Sequence, residues 1–157
     1  ELNRLRQHFL TVAMAKVSTS AHEAYDLDIL KPGKDIVVVN TARQLATAKA
    51  VARQMADMGY TKPPKRTDVK VLGKQALGMF YVGTDSMEAS KYISEHDQKI
   101  ADKLAYVMAG GDLSEPTEVS EQYLLDLERE AFLSLCGERK TLERLQHMIQ
   151  KGKPLRN

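Results

Sequence analysis

Apolar residues recur three and four places apart through most of this chain, and that spacing collects them on one face of a helix. The strongest case is Tyr123, Leu124, Leu127, Ala131 and Leu135, with Leu125, Phe132 and Leu133 widening the stripe. This helix is predicted to be the most buried. Ile100, Leu104, Val107 and Met108 mark another helix, with Ser94 and Asp97 placed to cap its start and Gly110-Gly111 to end it. A loop follows at 112–116. The first helix carries Leu5, Phe9 and Val12, flanked by Leu10, Met14 and Val17. Ser20 and Glu23 form a capping box for a short helix near 21–27. Asn40 caps a helix striped by Leu45, Ala48, Ala52 and Met55, which Gly59 stops. A weaker helix spans 73–91, because Gly78 and Gly83 each cost it about 1 kcal/mol. The last helix shows Leu142, Leu145, Met148 and Ile149.

Two segments depart from the helical period. Ile36-Val37-Val38-Val39 is a continuous β-branched run, read as a short buried strand or extended segment, and a turn at Lys31-Pro32-Gly33-Lys34 precedes it. Val69 to Leu72 reads as a second short strand. Lys62-Pro63-Pro64-Lys65-Arg66 is a stiff, basic, extended linker. The predicted fold class is mainly α, with about six or seven helices and one or two short extended segments. The organisation is one helical region over 1–157, with sub-regions 1–60 and 67–157 joined by a Pro/Lys linker at 61–66.

The chain has 157 residues, of which 43% are hydrophobic, enough for a real core. Trp is absent and aromatics are 6%, so that core is aliphatic, Met and Ala, with seven Met to fill irregular gaps. The single Cys136 cannot form an internal disulfide, which suits a reducing, cytoplasmic setting. It follows an apolar run and reads as a buried structural thiol. No apolar run approaches the ~20 residues of a membrane span, and no signal-peptide pattern is present. The chain opens at Glu1 already in helical pattern, as expected of a piece of something longer.

Catalytic and metal chemistry find little support. His8, His22, His96 and His147 lack the i, i+4 spacing of a helical zinc pair, and one Cys is too few for a thiolate site. Each histidine reads as exposed or near a cap. There is no GxGxxG and no P-loop, and Gly73-Lys-Gln-Ala lacks the second glycine of a phosphate loop. Glu118, Glu121, Asp126, Glu128 and Glu130 read as a solvated acidic face. No carboxylate is expected in an apolar context that would raise its pKa. Nucleic-acid binding is not favoured, since Lys62–Arg66 and the tail carry no aromatics that would stack bases.

The tail stands out by charge. From Glu138 to Asn157, six Lys and Arg against two Glu leave +4, whereas the whole chain carries +2. Charge alone reads this as a solvated tail, but it also suits a phosphate-bearing partner.

Several long runs resemble the C-terminal part of a crotonase (enoyl-CoA hydratase/isomerase) module, as it occurs at the end of bacterial 3-hydroxyacyl-CoA dehydrogenases of fatty-acid β-oxidation. They are Ala15 to Ala24 (AKVSTSAHEA), Val71 to Lys74 (VLGK), Ile93 to Asp97 (ISEHD), Ile100 to Ala105 (IADKLA) and Val119 to Cys136 (VSEQYLLDLEREAFLSLC). The most specific is Gln146 to Asn157 (QHMIQKGKPLRN). Together they cover nearly the whole chain, although none is a catalytic signature. One departure is Asp28, where the family pattern usually has Gly. Asp tolerates a left-handed turn at some cost.

The resemblance implies a parent with an NAD-binding dehydrogenase domain, acyl-CoA as substrate, and a hydratase-like module last. It places the oxyanion-hole amides and any acid/base glutamates upstream of Glu1. The chain alone is therefore expected to be catalytically inert. It also implies helices that cover the acyl-CoA groove and pack in a homo-oligomer. By position, Phe132 resembles the family's aromatic near the CoA adenine, or is ordinary core. Lys151 resembles its lysine near the CoA phosphates, or is a solvated tail lysine. Lys153 and Arg156 are weaker candidates. The competing reading from another class is a stand-alone helical interaction domain without CoA binding.

Overall fold

The computed structural model describes residues 1–157 and is mainly α. Seven helices run in the order α1 (Leu2–Ala13), α2 (Ala21–Asp26), α3 (Gln44–Asp57), α4 (Lys74–Ala89), α5 (Glu95–Ala109), α6 (Glu121–Cys136) and α7 (Arg139–Lys151). Two three-residue strands, β1 (Val69–Val71) and β2 (Thr117–Val119), pair antiparallel with Val69 opposite Val119. The chain forms two units, one of residues 1–16 with 65–157 and one of residues 17–64.

In the first unit the core is built on α4 and α5. α5 buries Ala101, Ala105 and Ala109, a stripe of small residues four apart. With no bulk on that stripe, α4 brings Ala76, Leu77 and Phe80 against it. Phe9 of α1 closes the cluster, its ring stacked on Phe80 with centroids 4.3 Å apart. The larger residues expected as the α5 stripe lie at its margin, with Leu104 and Met108 only partly buried.

Two glycines fix the approach of the strand to the helices. Gly73 has φ 58°, and a Cβ there would overlap the carbonyl oxygen of Leu113. Its N–H donates to Ala109 O at 2.9 Å, and Lys74 N–H donates to Leu113 O at 2.8 Å. Gly110 has φ 84° and ends α5, and a Cβ there would overlap Val71. β1 is thereby pinned to the end of α5. β2 was not expected from the sequence. Its Thr117-Glu-Val119 has too few apolar residues to show a period, and it forms because β1 offers a partner.

α6 is not the most buried helix. It buries only Leu127 and Ala131, while Leu125, Phe132 and Leu133 are 45%, 52% and 63% exposed. Its apolar stripe is wider than the surface α5 offers, so the surplus faces out.

In the second unit, Ser20 caps α2 by accepting from Glu23 N–H. The Glu23 carboxylate reaches back to Thr19 N–H at 2.8 Å. Asp28 takes φ 58°, the left-handed turn foreseen for it, while Ile29 and Leu30 N–H both donate to Ala24 O. Asn40 Oδ1 accepts from Ala42 N–H and starts a 3₁₀ turn at Thr41–Arg43 that leads into α3. No residue of α3 is buried. Ile36–Val39 is not a buried strand: Ile36 is 61% and Val39 95% exposed, and the sheet contains only β1 and β2.

Candidate functional site

The basic tail folds back rather than trailing into solvent. Gly152 takes φ 63° and ends α7, which turns the chain toward the start of α5. There Ser94 and Asp97 form a capping box, each side chain accepting from the other's backbone N–H. Arg144 Nη1 donates to Asp97 Oδ1 at 2.7 Å, with both side chains less than a fifth exposed. The same guanidinium holds Asn157 through Nε to Oδ1 at 2.8 Å and Nη2 to the backbone oxygen at 3.2 Å. Asn157 Nδ2 donates to Glu143 Oε2 at 2.9 Å, and Ser94 Oγ donates to Asn157 O at 3.3 Å. Arg156 lies 3.7 Å from Asp97. Burial pushes the Asp97 carboxyl up, but the Arg144 and Ser94 hydrogen bonds outweigh it and hold the group below its usual value.

This knot fixes α7 against α5 and so places the expected ligand residues. Phe132 stands on α6 one turn before Gly137, half-exposed and able to offer a ring face. Lys151 is the last residue of α7, about 18 Å along its axis from Arg139 at the usual helical rise. Lys153 lies just past the Gly152 turn, and both lysines are exposed. The ordinary-core reading of Phe132 does not describe its surroundings. Lys151 and Lys153 sit on a helix end and strap held by Arg144 and Asn157. Arg156 is partly engaged by Asp97. An exposed apolar surface accompanies them: Leu142, Leu145, Met148 and Ile149 on α7 are each at least 40% exposed.

Three groups stand out. His96 lies in the cap region of α5, as one of its two expected readings had it, and is buried there, with Nε2 3.0 Å from Thr141 Oγ1. Burial, with the Arg144 and Lys140 cations nearby, lowers its pKa. Asp102 is a carboxylate whose pKa is raised by burial, against the lowering effect of Thr84, whose hydroxyl donates to Oδ1 at 2.6 Å. Its hydrogen-bond partner Thr84 comes from α4, the preceding helix. Cys136 is half-buried rather than fully enclosed.

The first unit offers no deep substrate chamber. The space bounded by Phe9, Met14, Thr84, Met87, Asp97 and Arg156 is about 10 Å³, at most one water. A shallow groove of about 230 Å³ lies over Arg4, Leu5, His8 and Lys70. No group of three or more His, Cys, Asp or Glu could hold a metal ion. No helix is long and apolar enough to cross a membrane.

No protein-family model matches the chain. No solved structure matches it. The chain is 51% identical over 156 residues to a Bacillus subtilis (strain 168) protein named probable 3-hydroxyacyl-CoA dehydrogenase, covering 99% of this chain and 20% of that protein. The chain thus spans about a fifth of the length of the curated relative it matches.

Proposed function

We propose that this chain is the C-terminal region of a 3-hydroxyacyl-CoA dehydrogenase that carries a crotonase-like module, and that it covers the CoA part of the acyl-CoA substrate and contributes to oligomer contacts. The likeness to the Bacillus subtilis relative over nearly the whole chain carries this reading. The parent transfers hydride to NAD in a domain outside this chain, in the cytoplasm. The fatty-acid β-oxidation setting follows from the same chemistry.

Within the chain, Phe132 supplies an aromatic face for the adenine. Lys151 and Lys153 supply ammonium groups for the CoA phosphates. Hydration of a 2-enoyl-CoA adds water across the double bond. It needs a carboxylate to handle the water proton and amide N–H groups to hold the thioester enolate. On this reading those groups lie in residues that precede this chain, and the chain alone is inert.

The test is hydration of crotonyl-CoA, followed by loss of enoyl absorbance, for the chain alone and for the chain co-expressed with the segment that precedes it in the longer protein. Activity in the combined sample alone is the expected result. Activity in the chain alone would overturn the assignment of the catalytic groups. A stand-alone interaction domain would show no CoA affinity in either sample.

A further inference from the structure

Residues 153–157 belong to no helix or strand and make no backbone-to-backbone hydrogen bond. What ties this segment down at its far end is Asn157. Its Oδ1 accepts from Arg144 Nε at 2.8 Å, and its Nδ2 donates to Glu143 Oε2 at 2.9 Å. Its backbone oxygen accepts from Arg144 Nη2 at 3.2 Å and from Ser94 Oγ at 3.3 Å. Arg144 is itself braced by Asp97, with both side chains largely buried, so the anchor is rigid. At the near end the segment starts from the left-handed turn at Gly152. Lys153 lies between these two fixed ends and is exposed. Arg144 and Arg156, the neighbouring cations, face Asp97 instead.

We infer that Asn157 is a positioning residue for CoA: it clamps residues 153–157 to α7 and to the start of α5, and so holds Lys153 where its ammonium meets a CoA phosphate. Asn157 itself touches no ligand. The inference rests on the reading of this region as the cover of CoA. A lysine is a point charge on a flexible stem, so the fixed backbone beneath it does the placing. Once the strap is loose, binding must also order it, and affinity falls by that cost. Lys151 differs, because it is the last residue of α7 and the helix fixes it whether or not the strap is held. Loss of the Asn157 side chain should therefore act through Lys153 and spare Lys151.

Calorimetric titration of the full-length enzyme with coenzyme A tests this in a cycle of variants. Asn157→Ala is expected to weaken binding about three- to tenfold at low salt. In a Lys153→Ala background the same change is expected to cost less than about twofold, since the group it positions is gone. In a Lys151→Ala background the full loss should persist. Unchanged affinity in Asn157→Ala would overturn the proposal. So would an equal loss with and without Lys153, which is the mark of a residue that only supports the fold. The lysines alone test the underlying reading. If neither Lys151→Ala nor Lys153→Ala weakens binding, the CoA reading fails and the positioning role falls with it. If both weaken it and Asn157→Ala does not, only the positioning role fails.

Discussion

Arg144 and Asp97 meet across 47 residues of sequence, Nη1 to Oδ1 at 2.7 Å, and the same guanidinium ties Asn157 to the start of α5. One side chain thus joins a capping box, a helix and the returning tail. Removing it leaves the Asp97 carboxylate largely buried without its main partner. Arg144→Ala is predicted to destabilise the chain by about 2–3 kcal/mol in urea unfolding. Arg144→Lys is predicted to recover little, since an ammonium cannot make the fork that grips Asp97 and Asn157 together.

Gly73 and Gly110 should be intolerant, and the two glycines inside α4 should not. Gly73→Ala and Gly110→Ala each place a Cβ into fixed neighbours, the Leu113 carbonyl and Val71. Each is predicted to cost about 2 kcal/mol or more, from strain and the displaced strand. At Gly78 a Cβ would meet nothing within 4 Å, so Gly78→Ala is predicted to stabilise α4 by roughly 0.5–1 kcal/mol. Thermal melts of the three variants check this.

His96 predicts acid sensitivity in a definite window. Its folded-state pKa is depressed from 6.5 by burial and by the nearby cations, so the folded chain prefers the neutral ring. The unfolded chain then binds more protons as pH falls through 6.5. The contribution is fully present above that value and is lost as pH falls toward the lower folded one. Asp97, also depressed, adds a second loss below its ordinary 3.8. Melting temperature should therefore fall between about pH 7 and 5, and His96→Gln should flatten that fall.

Asp102 carries the opposite sign. Burial raises its folded pKa above 3.8, so ionisation at neutral pH works against folding. Asp102→Asn keeps an acceptor for the Thr84 hydroxyl and removes the charge. It is predicted to raise the melting temperature at neutral pH and to leave it unchanged below about pH 3.

Much of this architecture was legible in residue spacing and cap chemistry. Ser94 with Asp97, Ser20 with Glu23, Asn40 and Gly110 all sit where their side chains or φ angles end a helix, because caps act over three or four residues. Burial was less legible, since it depends on which elements meet. Ala101, Ala105 and Ala109 form the inner face of α5, although the larger Ile100 and Leu104 dominate the pattern. Leu125, Phe132 and Leu133 look like core but outnumber the surface available to them. The strand of Thr117–Val119 has no local signal, and Ile36–Val39 has a strong one without a partner. Of the candidate ligand residues, positions along α6 and α7 were readable. The fold-back that holds the tail was not, because Arg144 looks like any exposed helical arginine until Asp97 lies beside it.

The most direct test of the proposed role is the affinity of the full-length enzyme for CoA, measured by calorimetric titration at low and high salt. The account predicts that Phe132→Ala combined with Lys151→Ala weakens binding about tenfold or more at low salt, and that salt weakens the unaltered enzyme more than the variant. Unchanged affinity in the double variant, with an unchanged salt dependence, would contradict the assignment of this region to CoA.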